Sequence, residues 1–141
     1  LFSGLALGHA GLGAVHGMAG VLGGYVSGAP HGALCARLLP GVITANRRRL
    51  NEEPERQVWL ERRYGEAAAL ILNRPSATAD DLLTWVTERV EDYGVPRLRT
   101  FGLAQAEVTA LIAQAERASS TKSNPASLTK QDWEDVLRSA W

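Results

Sequence analysis

The first 30 residues contain no Asp, Glu or Cys, and as far as residue 46 the only charged side chain is Arg37. A metal site confined to that stretch would have no anionic ligand, so its remaining members must come from elsewhere. The single Cys35 excludes an internal disulfide. Between Leu34 and Ala36, in an apolar helical pattern, it reads as a reduced, buried, inert thiol, a usage that fits the cytosol. Net charge is absent too, with 15 basic against 15 acidic residues, so bulk electrostatics favour neither nucleic acid nor an anionic membrane. No Gly-Lys-Ser/Thr occurs, which removes a Walker loop. Gly11-Leu12-Gly13-Ala14-Val15-His16 lacks the third glycine of a dinucleotide fingerprint and follows no predicted strand. Ser3, Ser27 and His9 make no nucleophile–base–acid set.

At 141 residues the chain has room for one domain with its own core and not for two. The uncharged run 1–26 is long enough to cross a bilayer. Its glycines and two histidines, and the lack of an aromatic belt flanked by basic residues, argue instead for burial inside a larger protein. No basic segment precedes it, so no secretory signal is read. A glycine-rich apolar start beside a charge-balanced remainder looks like a piece of a longer protein. The first helix is then expected to bury itself against a second copy of the chain or to lose order.

No alternating strand pattern and no internal repeat is found, and the periodicity is helical throughout. Residues 31–49 carry an inner stripe of Leu34, Leu38, Val42 and Ala45, with a kink or break expected where Pro40 removes a helical hydrogen bond. Arg47, Arg48 and Arg49 suit a phosphate patch or a helix C-terminus; Glu52, Glu53 and Glu55 directly after them favour the second. Pro54 opens a third helix reaching Asn73, with an imperfect apolar face of Val58, Leu60, Tyr64, Ala67, Ala68 and Ile71 that Gly65 can interrupt. Thr78 caps a fourth, with Leu82, Leu83, Val86 and Val90 inside and Trp85 beside them, stopped at Tyr93-Gly94-Val95-Pro96. A turn at 100–103, an amphipathic helix over 104–118 through Val108, Leu111, Ile112 and Ala115, and a polar loop over 119–127 follow. A last helix starts behind the Thr129/Asp132 capping box. The whole is an all-α, multi-helix bundle.

Chemistry concentrates in residues 11–32, GLGAVHGMAGVLGGYVSGAPHG. Taken as a helix, 11–25 places His16 on one stripe with Gly13, Gly20 and Gly24. Each glycine costs a helix about 1 kcal/mol relative to alanine, so the repetition needs a reason, and close approach of a backbone, cofactor or substrate supplies one. Pro30 can open a helix but not continue one, so His31 begins the next element and a turn can return it to His16. Neutral imidazole is the commonest ligand for a transition metal, though a buried histidine bonded to a carbonyl is also common, and two imidazoles do not complete a site. His9 lies two helical turns before His16, about 10 Å along the axis and too far to share an ion without a break.

GLGAVHGMAGVLGG followed by APHGALCARLLPGVITAN resembles the C-terminal half of the iron-containing alcohol dehydrogenases. The likeness continues through Tyr93-Gly94-Val95-Pro96 with Phe101-Gly102, through Ser123-Asn124-Pro125 and Leu128-Thr129, to Ala140-Trp141. It implies a single helical domain over 1–141, like that of dehydroquinate synthase, behind an upstream nucleotide-binding domain. It also implies a divalent metal, iron or zinc, held by an Asp and three His. The two later histidines match His16 and His31, and the other two ligands come from upstream. The same likeness implies NAD or NADP as hydride acceptor and a small alcohol or carbonyl compound as substrate, with Gly13 and Gly20 near substrate or cofactor. Gly20 stands where many members carry a further histidine, so no proton relay is carried over to it, and the loop 25–30 is one residue longer than the commoner pattern. Alone, the chain is expected to be catalytically silent and to bind metal weakly at most. A metal-dependent lyase or reductase on the same scaffold, and a non-catalytic helical interaction module, are the rival readings.

Overall fold

A computed structural model describes residues 2–26, 28–103 and 107–141, the side chains of Ser3 and Val108 excepted. Ser27, in the expected turn, and the first three residues of the helix expected over 104–118 lie outside these. Among the described residues seven α-helices follow in order: α1 (Phe2–Ala10), α2 (Ala14–Tyr25), α3 (His31–Leu50), α4 (Pro54–Leu72), α5 (Ala79–Asp92), α6 (Val108–Arg117) and α7 (Lys130–Ala140). Short 3-10 turns at Leu98–Phe101 and Ser119–Ser123 flank α6. There is no strand among the described residues, as the missing period-2 pattern required.

The axis of the bundle is α3, against which α2, α4, α5 and α7 all pack. Its expected stripe of Leu34, Leu38, Val42 and Ala45 is buried, together with Trp133, Val136 and Leu137 of α7 and Met18 and Leu22 of α2. On its other side Ile43 meets Ala68 of α4 and Leu82, Val86 and Val90 of α5. The break expected at Pro40 does not occur: α3 is continuous from His31 to Leu50. Packing outweighs the lost hydrogen bond. At the next residue, Gly41, a Cβ would lie 3.2 Å from the Val136 Cα, so α7 holds this turn of α3 at closer range than any side chain would allow. Thr44 Oγ1 donates to the Pro40 carbonyl at 3.0 Å.

Helix ends fall where the caps predict. Thr78 with Asp81 opens α5 and Thr129 with Asp132 opens α7, each as a reciprocal capping box, while Gly94 closes α5 with φ +60°. In α4 the expected face is only partly right. Leu60 and Ala68 are buried, but Val58 is 69 % exposed and Ile71 exposed as well, because α4 packs along one side, on α3, α5 and residues 125–128, and shows its remaining surface to solvent. Gly65 does not interrupt α4.

The arginine triplet does something the sequence reading did not foresee. Arg47 Nε and Nη2 donate to the two carboxylate oxygens of Glu61 at 2.6 and 3.0 Å, and its Nη1 donates to Asp80 at 2.7 Å. Arg48 reaches Asp132 at 2.5 Å and Asp135 at 2.8 Å, and Arg49 lies 3.6 Å from Asp132. The C-terminal turn of α3 is thereby tied to α4, α5 and α7. Neither a phosphate patch nor the neighbouring Glu52, Glu53 and Glu55 takes part in these pairs. Asp132 is 2 % exposed. Burial alone would push its pKa up, but hydrogen bonds from the Thr129 hydroxyl and backbone N–H, with Arg48 beside it, hold it below the usual carboxylate value.

At the N-terminal side, α1 and α2 are bent by 104° at residues 11–13. No single helix among the described residues is long and apolar enough to cross a membrane; by length and composition alone this bent pair would be. Phe2, Leu5 and Leu7 of α1 are exposed, Phe2 by 84 %, so the expected cover for this helix is not supplied from within the chain. By contrast, α2 lies tightly on the Ser119–Ser123 turn. A Cβ on Gly17 would fall inside the van der Waals radius of Thr121 Oγ1, which is held in place by donating to the Ala115 carbonyl at 2.6 Å.

Two outcomes follow from this packing. Gly17→Ala is expected to lower the melting temperature despite alanine's better helix propensity, overpacking costing about 1–3 kcal/mol against about 1 kcal/mol gained. Gly23→Ala, on the open side of the same helix, is expected to raise it, and thermal denaturation followed by circular dichroism separates the two. For Asp132, a folded pKa below the unfolded value of about 3.9 means stability that is complete above that value and lost as pH falls through the folded one. Asp132→Asn should therefore cost about 1–3 kcal/mol at neutral pH and flatten the acid side of the stability–pH curve, measured by urea denaturation.

Candidate metal centre

Helix α2 starts at Ala14 behind Gly13, which has no side chain with which to cap it. The missing cap comes from 110 residues away: the Ala14 N–H donates to Asn124 Oδ1 at 3.1 Å. Asn124 Nδ2 in turn donates to Asn46 Oδ1 at 2.7 Å and to the Ala126 carbonyl at 2.8 Å, and Asn46 Nδ2 reaches the Tyr64 hydroxyl at 3.3 Å. Burial raises the Tyr64 pKa, which keeps that hydroxyl protonated. This network fixes where α2 begins, and His16 sits in its first turn. His31 is the first residue of α3, behind Pro30 at φ −64° and ψ 125°, the extended geometry that lets the chain turn back.

The two rings meet. Their centroids are 5.5 Å apart with planes inclined by 54°, so the return by a turn that the sequence predicted is what the chain does. A third donor joins them. Cys35 follows His31 by four residues on α3, and its Sγ lies 3.4 Å from His31 Nε2. Donor atoms of His16, His31 and Cys35 all lie within 4.8 Å of one another. For zinc–nitrogen and zinc–sulfur bonds of about 2.1 and 2.3 Å, a tetrahedral N–S edge is about 3.6 Å, close to the separation of His31 and Cys35. The donor set therefore fits a divalent metal. It is incomplete as a catalytic site, because no carboxylate belongs to this cluster among the described residues.

Cys35 corrects the sequence reading in part. It is half-buried, and burial raises its pKa as expected for an inert thiol, but it faces an imidazole and not the core alone. The spacing His31-Gly32-Ala33-Leu34-Cys35 was the available signal, since residues four apart share a helix face. His9 is exposed on α1 and stands outside the cluster, although the chain does break at residues 11–13.

The two glycines expected near substrate or cofactor separate. A Cβ on Gly13 would meet Asn124 Oδ1 at 3.0 Å, so its bareness admits the capping amide. Gly20 is exposed with nothing within 4 Å of where a Cβ would stand. Beside the donors runs an apolar cleft of about 560 Å³, whose wall includes His16, Cys35, Leu39, Ile43, Tyr64 and Trp85. Such a cleft suits the aliphatic part of a small organic molecule.

Comparison with known proteins places the chain and its fold in a family. A dehydrogenase from Alternaria alternata, ALT3, is 32% identical over 94% of this chain and 36% of its own length. The 1,3-propanediol dehydrogenase of Klebsiella pneumoniae is 30% identical over 100% of the chain and 35% of its own length. The chain thus spans about a third of these relatives. Among solved structures, a 1,3-propanediol oxidoreductase superposes with a TM-score of 0.79 at 30% identity, over 100% of this chain and 36% of that one. An iron-containing alcohol dehydrogenase from Thermococcus thioreducens gives 0.75 at 26% identity, over 97% and 34%. The match to the family itself runs over residues 1–141, and the chain belongs to the Fe-containing alcohol dehydrogenase family, as its C-terminal region.

Proposed function

We propose that residues 1–141 are the helical domain of a two-domain, NAD(P)-linked alcohol dehydrogenase, and that His16 and His31 are two of the ligands to its divalent metal. The observation that carries this reading is the convergence of two neutral imidazoles, 5.5 Å apart, from the starts of successive helices, beside an apolar cleft. When bound, iron or zinc supplies Lewis acidity towards the oxygen of an alcohol or carbonyl compound. The residues of the chain do the rest of the work on this side of the site. His16 and His31 enter the apolar surroundings without needing a counter-charge, and their placement on two helices anchored by Asn124 and Pro30 sets the angle between them. Leu39, Ile43 and Trp85 keep water from the cleft and receive the carbon chain of the substrate. The open side of α2 at Gly20 leaves room for a planar cofactor ring, and no side chain there is available to relay a proton.

The missing carboxylate and the remaining imidazole come, on this reading, from an upstream domain that also holds the nicotinamide cofactor, and the exposed apolar side chains of α1 are covered in the assembled homo-oligomer. The 141-residue chain alone is catalytically silent.

The test is made on the whole protein. His16→Ala and His31→Ala should each lower bound metal per subunit and reduce alcohol-dependent NAD(P)H formation by at least about 100-fold, since even groups behind a ligand are worth about 10–100-fold. Unchanged turnover with unchanged metal content in both variants would overturn the reading and favour a structural role for the two histidines.

A further inference from the structure

The cleft between α3, α5 and α7 has its arginines committed to acids, with Arg37 on Glu91 and the Val95 carbonyl and Arg48 on Asp132 and Asp135. Cys35 is half-buried, packed in part on the core, and its sulfur stands beside His31 Nε2 on the cluster face of α3.

We propose that Cys35 is a third donor to the ion held by His16 and His31, so that the chain by itself carries a His2Cys site selective for thiophilic divalent ions such as zinc or cobalt. This rests on the reading of the two histidines as ligands. Three observations support it. His31 and Cys35 share a face of α3, with the S–N separation of 3.4 Å already near a tetrahedral edge of about 3.6 Å. All three donors lie within 4.8 Å, an excess over such edges of no more than about 1.5 Å, which rotation of the exposed His31 can close. Finally, two neutral imidazoles bring no charge to offset that of a bound dication. Cys35 is the only member of the cluster able to become an anion, its proton passing to solvent as the sulfur–metal bond forms. Thiolate is a soft ligand, which shifts preference from iron towards zinc. In the 141-residue chain the remaining coordination falls to water on the exposed side of His31, the side left for the ligands that the upstream domain supplies in the whole protein.

The site is tested with cobalt as the probe, in the purified 141-residue chain under reducing, oxygen-free conditions, on preparations whose helical fold is established by circular dichroism and cooperative thermal unfolding. Because Cys35 is the only cysteine, a near-ultraviolet thiolate-to-cobalt charge-transfer band can come from no other residue. The expected result is such a band saturating at one ion per chain, displaced by zinc. It should disappear in Cys35→Ser with affinity reduced by at least about 10-fold, and weaken in His16→Ala and His31→Ala. Cobalt bound without that band, and equally well by Cys35→Ser, overturns the role of Cys35 and leaves the histidine pair standing. Binding indifferent to both histidine variants overturns the histidine reading itself. No binding by the unaltered chain overturns this proposal alone, since the activity of the whole protein tests the other. A second measurement needs no variant: one equivalent of zinc should slow alkylation of Cys35 by iodoacetamide at least about tenfold. An unchanged rate also overturns the proposal.

Discussion

Everything about the placement of His16 depends on one amide. The side-chain amide of Asn124 holds separate parts of the chain together: its oxygen accepts from the first N–H of α2, and its nitrogen donates to Asn46 of α3 and to the Ala126 carbonyl. A helix start that is buried and uncapped would leave orphan N–H groups, each costing about 1–3 kcal/mol in a site without water. A local Ser or Asp at position 13 could have capped α2 but would have filled the space that the Asn124 side chain occupies. The cap is taken from afar, and the reward is positional. The same bonds that satisfy α2 also lock its first turn, and so the imidazole of His16, against α3, whose first residue is His31.

The opposite end of α3 is held by a different kind of force. Arg47 and Arg48 run from it to carboxylates on α4, α5 and α7, and Asp132 serves at once as the cap of α7 and the partner of Arg48. Exposed pairs of this sort contribute little one by one, about 0–1 kcal/mol, but Asp132 is buried and joins a cap to an ion pair, which gives the network a fixed register. One helix therefore carries two environments, a network of ion pairs at its C-terminus and, towards its N-terminus, the side that borders the apolar cleft, with Arg37 there paired to Glu91.

Much of this was legible in the residues. The helices were, since their ends are written locally in Thr78-Asp81, Thr129-Asp132, Pro54 and Gly94, and local chemistry does not depend on the rest of the fold. The pairing of His16 with His31 was legible because only a turn separates them. What escaped was everything decided by neighbours distant in sequence. The sequence predicts a kink or a break at Pro40; no break occurs, and the close seat of α7 on Gly41 holds the helix whole. The arginines were read against the glutamates that follow them, whereas their partners lie up to 87 positions further on. The stripe of Gly13, Gly20 and Gly24 reads from the sequence as one surface, and the packing divides it: Gly13 faces Asn124, while Gly20 and Gly24 face open space. No periodicity in α2 distinguishes a bare position filled by another part of the chain from one left for a ligand.

The absence of acids from the start of the chain can now be given a physical sense. An ion placed between His16 and His31 brings two positive charges beside an apolar cleft, and two neutral ligands bring no charge to offset them. Compensation has to come from Cys35 within the chain or from a carboxylate beyond it. A carboxylate fixed next to the imidazoles within residues 1–30 would have carried an uncompensated charge of its own in every molecule lacking metal. A thiol avoids that difficulty, because it is neutral until an ion displaces its proton. In such a site the anionic ligand is best kept either latent, as a protonated sulfur, or remote, on a separate part of the protein that closes over the metal, and an acid-free N-terminal third is the sequence such a site calls for.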